Sequence, residues 1–440
     1  MKKIYKLFVS LSLFLITVAL KINSYKLSAI IIWLNVRKLK AIKSTNKISK
    51  KIIVFNKSGG YEDLIESYKN VKKNNIGFYL LPRPFLKKIF YHYFEKNYKG
   101  DYFTKPIDND EIKKKDLFVK YSTSTFNFLD RFLKIDGYIS FNLFYRGEKY
   151  FEEVCKNLNK KFIILHKESA FNKLEEANAL KVYQKFNDKS LSYKISVYSD
   201  LQKKILIKSK IANNNQIVVN GCPRCDYAFT LRKISPKKNI IVFYLIEYAK
   251  GQSGFGDLLH EIKNTNNLDN DTRKSWKKLH DQTLNYLLNY AKKNPNIHVI
   301  LKGKVGVHHK NQMDLKNFPK NCTFIEGGAG GFLLRDASIV IAFNSTIVFE
   351  TIASNRNLII PNFNNENKLK KNVSHIIDNK KYYVNSKKQF YKKIDFYLNQ
   401  SYKNKKISSE DTKTLKYYLG NTNGMCGKKM QKFLDKVINE

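Results

Sequence analysis

The 440-residue chain has few cysteines, five of them, an odd number scattered along its length. That excludes a disulfide framework and points to a reducing compartment. Cys222 and Cys225 form a Cys-x-x-Cys, but no second ligand pair stands nearby for zinc. The pair follows a strand and enters a loop, so it opens no helix as a redox pair would; it reads as two small buried residues flanking a turn. Acidic residues are scarce, with 37 Asp and Glu against 81 Lys and Arg, a net charge of +44. The lysines are spread over the whole chain with abundant Asn, Ile, Tyr and Phe, as an AT-rich coding sequence produces. No RNA-recognition, helix-turn-helix or zinc-finger signature accompanies them. Nucleic acid is therefore not an expected partner, whereas anionic lipid and phosphorylated substrates are. The one carboxylate cluster that suggests a metal, Asp108-Asn109-Asp110, reads as solvated surface, and no metal or other cofactor is expected. Internal repeats and long low-complexity segments are absent.

Long apolar runs are also missing. Leu7 to Leu20 is uncharged and sits behind Lys2, Lys3 and Lys6; Leu27 to Val36 follows and ends in Arg37, Lys38, Lys40 and Lys43. Neither reaches the roughly 20 residues of a full membrane span, and the first lacks a clean A-x-A cleavage site. Basic flanks on both sides suit a segment that lies in the cytoplasmic leaflet, with a single signal anchor as the alternative. Residues 1–45 are thus expected to be a membrane-associated apolar and basic segment, on the cytoplasmic face of the cell membrane.

What is present is enough apolar residue, 43%, for most of the chain to fold. Ile52 to Phe55 reads as a buried strand, followed by a loop through Gly59-Gly60 and a helix from Tyr61 to Val71 with Glu62 and Asp63 in its first turn. Looser units follow: Ile76 to Leu81, a tyrosine-rich charged region to Lys120, and Gly137 to Phe144. A helix from Gly147 to Leu158 leads into the strand Lys161 to Leu165, which ends on His166-Lys167-Glu168. The strand Lys194 to Tyr198, a helix from Asp200 to Ser209 and the strand Gln216 to Asn220 complete this series. After the linker Lys233 to Lys238 a second series begins: strands at Asn239 to Leu245, Asn296 to Leu301 and Cys322 to Glu326, with a helix at Ser275 to Lys293. Two successive βα series imply two doubly wound sheets.

The segment Leu334 to Phe363 carries the most chemistry. Ala337 to Phe343 is a strand covered on both faces. Asn344, Ser345 and Thr346 supply caps and free N–H groups at a helix start, a ready phosphate seat. Glu350, one turn inside, is placed to meet a ribose hydroxyl.

Four stretches together resemble the surface-carbohydrate biosynthesis proteins of the two-Rossmann-domain (GT-B) glycosyltransferase type. Wider relatives of that type are capsule polysaccharide transferases, CDP-glycerol glycerophosphotransferases and UDP-N-acetylglucosamine 2-epimerases. The stretches are Phe162 to Glu168, Ile217 to Asp226 (similar to a V-x-G-N-P-R-x-D turn), Asn294 through Lys302 (similar to N-P-x-…-K-P-H-P), and Asp336 through Pro361. Departures are present: Lys302-Gly303-Lys304-Val305 stands where the family has Lys-Pro-His-Pro, and the turn reads Asn-Gly-Cys-Pro-Arg.

The resemblance implies an α/β fold with two Rossmann-like domains facing across a cleft. Residues 46–232 would form the acceptor domain, 233–363 the nucleotide-donor domain, and 364–440 a helical basic tail packing back on both. It implies metal-independent transfer of a sugar from a nucleotide-sugar donor to a surface polysaccharide or lipid-linked glycan. The alternatives are transfer of a polyol phosphate from a CDP donor and a non-catalytic membrane-anchored assembly protein; an epimerase gives no reason for the apolar N-terminus. Transfer needs a stabilised leaving diphosphate and a base. Arg224, Lys302, Asn344, Ser345 and Thr346 suit the first task, with Glu350 on the ribose. His166 is the first choice of base and Glu168 the second. Gly59, Gly60 and Glu62 form an acceptor-side loop in which Glu62 and Asp63 are alternative bases, and the pair His308 and His309, in a polar loop near Lys302, reads as a solvated loop.

Overall fold

The structure, a computed structural model, describes residues 2–45, 47–56, 60–94, 108–167, 179–181, 183–184, 188–246, 270–303, 318–328, 330–343, 345–363, 377–400 and 407–440. The chain divides into two compact units. The first comprises Met1–Ser169, Tyr183–Arg224 and Met425–Glu440, and the second Ala170–Val182 and Cys225–Gly424.

The first unit opens with two helices, α1 (Lys2–Lys21) and α2 (Tyr25–Asn35), so both N-terminal apolar runs are helical. No described helix is long and apolar enough to cross a membrane. Ser24 ends the break between them by accepting a hydrogen bond from the Leu27 N–H, the role Ser plays best at a helix start. The strands are β1 (Arg37–Lys38), β2 (Lys50–Asn56), β3 (Ile76–Pro82), β4 (Gly137–Ser140), β5 (Lys161–Leu165), β6 (Lys194–Val197) and β7 (Ile217–Val219). Between them run α3 (Gly60–Tyr68), α4 (Arg83–Tyr93), α5 (Asn109–Leu133), α6 (Arg146–Asn157) and α7 (Asp200–Lys208). The sheet order is β1-β3-β2-β4-β5-β6-β7. β1 pairs antiparallel on β3, and every other pair is parallel, with Ile53 opposite both Tyr79 and Tyr138. Ile52, Ile53, Val54 and Phe55 are all buried, as a parallel strand covered on both faces must be. The sheet changes direction of growth between β2 and β4, so this is its switch point, where α/β sheets bind ligands at the strands' carboxyl ends. Asp108 caps α5 by accepting from the Glu111 N–H at 2.8 Å, which gives that acidic cluster a structural task.

The second unit contains β8 (Ile240–Tyr244), α8 (Asn270–Lys293), β9 (His298–Gly303), β10 (Cys322–Glu326), β11 (Ile339–Ile341), α9 (Ile347–Ala353) and β12 (Asn357–Pro361). It ends with β13 (Tyr383–Val384), α10 (Lys387–Asn399) and α11 (Ser409–Leu419). Its six strands run β10-β9-β8-β11-β12-β13, all pairs parallel. In chain order that is 3-2-1-4-5-6, the dinucleotide-binding order, and its switch point lies between β8 and β11. Trp276 and Leu279 of α8, Phe390 of α10 and the strand residues Phe243, Leu301 and Ile341 form the core on one face. The chain closes with α12 (Cys426–Asn439), which returns to the first unit and packs Met430, Phe433 and Leu434 into its core.

Asp411 ties the end of the second unit together. Its carboxylate accepts from Lys381 Nζ at 2.6 Å, Tyr382 OH and Ser408 Oγ at 2.8 Å, and Asn379 Nδ2 at 3.2 Å. Burial pushes this carboxyl up, but the bonds from Lys381, Ser408 and Tyr382 and the lysine's charge outweigh it and hold it below its ordinary value. A carboxyl lowered in the folded state stabilises above its unfolded pKa and loses that contribution as pH falls through the folded value. Asp411→Ala should therefore cost about 1–3 kcal/mol at neutral pH and remove part of the acid-side loss. Urea unfolding across pH checks this, and an unchanged acid profile contradicts it.

Candidate functional site

In the second unit Lys302 and Glu350 both meet a segment that the sequence reading passed over, Glu326-Gly327-Gly328-Ala329-Gly330-Gly331. Gly327 and Gly328 have φ of 81° and 74°, left-handed values that favour glycine. At the other end of the segment, the Tyr244 hydroxyl at the tip of β8 donates to the Gly330 carbonyl at 2.7 Å. A Cβ on Gly331 would stand 2.5 Å from Glu350 Oε2, and one on Gly330 would stand 3.3 Å from Tyr244 Cε1. Backbone, phenol and carboxylate therefore meet at the switch point, with Ile347 of α9 closing the base of the group. Burial and the negative charge of Glu350 push the Tyr244 hydroxyl well above its ordinary pKa, so it remains a donor. Arg356 fixes the far end: this buried guanidinium donates to Leu334 O at 2.8 Å and to Ile234 O at 2.9 Å.

The donor-side residues that the structure describes have definite places. Glu350 is half-buried at the glycine segment, Ser345 is partly exposed and Thr346 exposed at the start of α9. Asn344 lies outside the described residues, as do Lys304, His308 and His309. α9 has only seven residues, Thr346 makes no side-chain cap, and Ser345 Oγ sits 3.5 Å from the Ile347 N–H. The expected strongly capped helix is thus a short turn, and a phosphate there would meet local N–H groups rather than a long helix dipole. Lys302 also differs from expectation. Its side chain is buried, and Nζ donates to the Gly303 carbonyl and to the Gly327 carbonyl at the head of the glycine segment. Burial lowers its pKa, partly offset by Glu326. Here Lys302 anchors the glycine segment, since its proton donors are directed at the backbone.

In the first unit the carboxyl edge of the sheet is occupied by a buried knot. Asp63, in the first turn of α3, accepts from Tyr198 OH just beyond β6 and from the Arg224 N–H at 3.0 Å. Arg224 Nη2 donates to Tyr198 OH at 2.9 Å, and its Nε lies 3.8 Å from Asp63 Oδ1. Arg224 was expected on a donor diphosphate; its guanidinium instead lies against Asp63 and Tyr198 of its own unit. Burial raises the Asp63 carboxyl, against the opposing pull of Arg224, Tyr198 and Lys167. Gly60 opens α3 where a Cβ would lie 2.1 Å from Phe141 Cγ, so no larger residue fits. Glu62, one residue before Asp63, stays partly exposed.

His166 is fully enclosed at 0% exposure, its ring set edge-on to Phe144 at 5.8 Å. A base must come within hydrogen-bond reach of the proton it takes, and this imidazole belongs to the unit's interior. Glu168 and Gly59 lie outside the described residues. All five cysteines are thiols; Cys222 and Cys225 are both buried. Among the described residues no three His, Cys, Asp or Glu side chains gather as metal ligands.

No protein-family model and no curated protein matches the chain. Solved structures do. The wall teichoic acid polymerase TagF matches at 12% identity with a TM-score of 0.45, over 96% of this chain and 96% of that one. S. aureus MnaA, in a co-structure with UDP, matches at 9% identity and 0.43, over 89% and 98%. The glycotransferase of kitacinnamycin matches at 8% identity and 0.43, over 90% and 99%. Likenesses of this degree assign no residue a role.

Proposed function

We propose that the protein is a transferase that takes a nucleotide-activated sugar as donor and builds a surface polysaccharide or lipid-linked glycan. The observation that carries this reading is the convergence of Tyr244, the Gly330-Gly331 pair and Glu350 at the switch point of a 3-2-1-4-5-6 sheet. Such a point accepts a nucleotide at the strands' carboxyl ends. In this reading Glu350 holds the ribose hydroxyls. The backbone of the glycine segment, with Asn344, Ser345 and Thr346, meets the diphosphate, where side-chain-free backbone permits close approach. Lys302 and Arg356 keep that segment in place. The first unit holds the acceptor, and Glu62, the partly exposed carboxylate of its sheet edge, takes the acceptor proton in preference to the enclosed His166.

Transfer of a polyol phosphate from a CDP donor uses the same seat, so the base of the nucleotide separates the two. Thermal unfolding with millimolar UDP, CDP, GDP and CMP is the test. The proposal expects one diphosphate to raise the melting temperature by several degrees, as ligand in large excess over Kd does. UDP or GDP supports the sugar donor, CDP the polyol phosphate, and no shift with any of them removes the nucleotide seat.

A further inference from the structure

The N-terminal helices are apolar on the outside and partly polar within. On its protein side α1 buries Ser12, Ile16, Ala19 and Leu20, and α2 buries Ser28 and Asn35 among its isoleucines. Those polar groups satisfy one another: Asn35 Nδ2 donates to Ser12 Oγ at 3.0 Å and to Ile31 O at 2.8 Å, and Ser28 and Tyr121 share a hydroxyl bond of 2.7 Å. Outward, Leu7 is 72% exposed, Leu11 56%, Phe14 63% and Leu34 54%. Leu7, Leu11 and Phe14 recur at helical spacing and form one stripe. Trp33 of α2 continues it, stacked at 5.6 Å on Phe132 of α5, itself exposed. The consecutive helices α1 and α2, with α5 joined to α2 through the Trp33–Phe132 stack, thus leave large apolar side chains open to solvent, more than the scattered exposed hydrophobics of ordinary soluble surfaces.

We propose that this face of α1, α2 and α5 seats the protein in one leaflet of an anionic membrane. Two observations choose lipid over a second copy of the chain. The first carboxylate in the sequence is Glu62, so the whole N-terminal region is cationic. Lys21, Lys26, Lys38 and Lys40 are exposed around the apolar residues. Two copies meeting through α1 and α2 would oppose like charges, whereas an anionic headgroup layer neutralises them. Because the opposite side of α1 is packed in protein, lipid reaches one side only, and the helices lie in the interface instead of crossing it. This inference is independent of the transferase reading, since its test involves no nucleotide.

The chain has two tryptophans; Trp276 is 2% exposed in the second unit's core and Trp33 is 42% exposed on the face. Adding phosphatidylcholine vesicles containing phosphatidylglycerol to the full-length protein should shift Trp33 emission to the blue. Brominated lipid should quench it, and pure phosphatidylcholine vesicles should shift it less. Leu11→Glu combined with Phe14→Glu should lower partitioning in vesicle flotation by about tenfold or more. Absence of any shift or quenching in the unaltered protein overturns the proposal without recourse to a variant. So does flotation of the variant equal to the unaltered protein, or a lipid-independent dimer whose Trp33 ignores vesicles.

Discussion

Asp63→Ala is expected to destabilise the first unit by about 3–5 kcal/mol, the cost of leaving buried donors without their charged acceptor. The substitution strands the Tyr198 hydroxyl, the Arg224 N–H and the guanidinium that lies against them. Asp63 is 2% exposed, so water cannot readily replace the lost carboxylate. Arg224 is the last residue of the first unit at its junction with the second, so the knot holds the chain where it leaves that unit. Trp33 lies in the first unit and Trp276 in the second, and a Trp276→Phe background lets Trp33 report the first unit alone. Chemical unfolding in that background should show the shift. A change below about 1 kcal/mol, the scale of an ordinary surface substitution, contradicts a closed buried knot.

Glu350→Ala should weaken nucleotide diphosphate binding by about tenfold or more, the worth of one charge-assisted hydrogen bond to a ribose hydroxyl. Gly331→Ala should do the same by another route. The new methyl group would collide with Glu350 Oε2 at 2.5 Å, and either the carboxylate or the glycine segment must move. Since α9 is only seven residues long, its dipole would not hold a phosphate unaided, and the proposed seat relies more on the backbone of the glycine segment. Thr346→Ala is accordingly the milder change.

The strands were the legible part of this fold. Lys161–Leu165 occupies the residues its sequence indicates, because a parallel strand buried on both faces is a bounded apolar run; Cys322–Glu326 does so too, although it is the partly exposed end strand of its sheet. α4 and α5 were not legible. Their tyrosines and lysines blur the 3.6-residue pattern, and α5 is recognisable chiefly by Asp108 at its cap. Glu350 could be singled out because a carboxylate one turn after Asn-Ser-Thr stands alone in an apolar segment. The glycine segment could have been found from four glycines in five residues between a strand and the next element. It was missed because glycine contributes no side chain to a chemical argument. The surroundings of Lys302 and His166 were not legible in the sequence. Whether a side chain at a strand's end turns outward or inward depends on distant neighbours. For Lys302 these are the Gly303 and Gly327 carbonyls, and for His166 the Phe144 ring.

In the proposed function the switch point of the second sheet holds a nucleotide through Glu350. Isothermal titration of the unaltered protein and of Glu350→Ala with UDP and CDP addresses it directly. Saturable binding of one of them at a single site is expected, weakened about tenfold or more by the substitution while the folded structure is kept. Equal affinity in the two proteins would contradict it, and so would no measurable binding of either nucleotide to the unaltered protein.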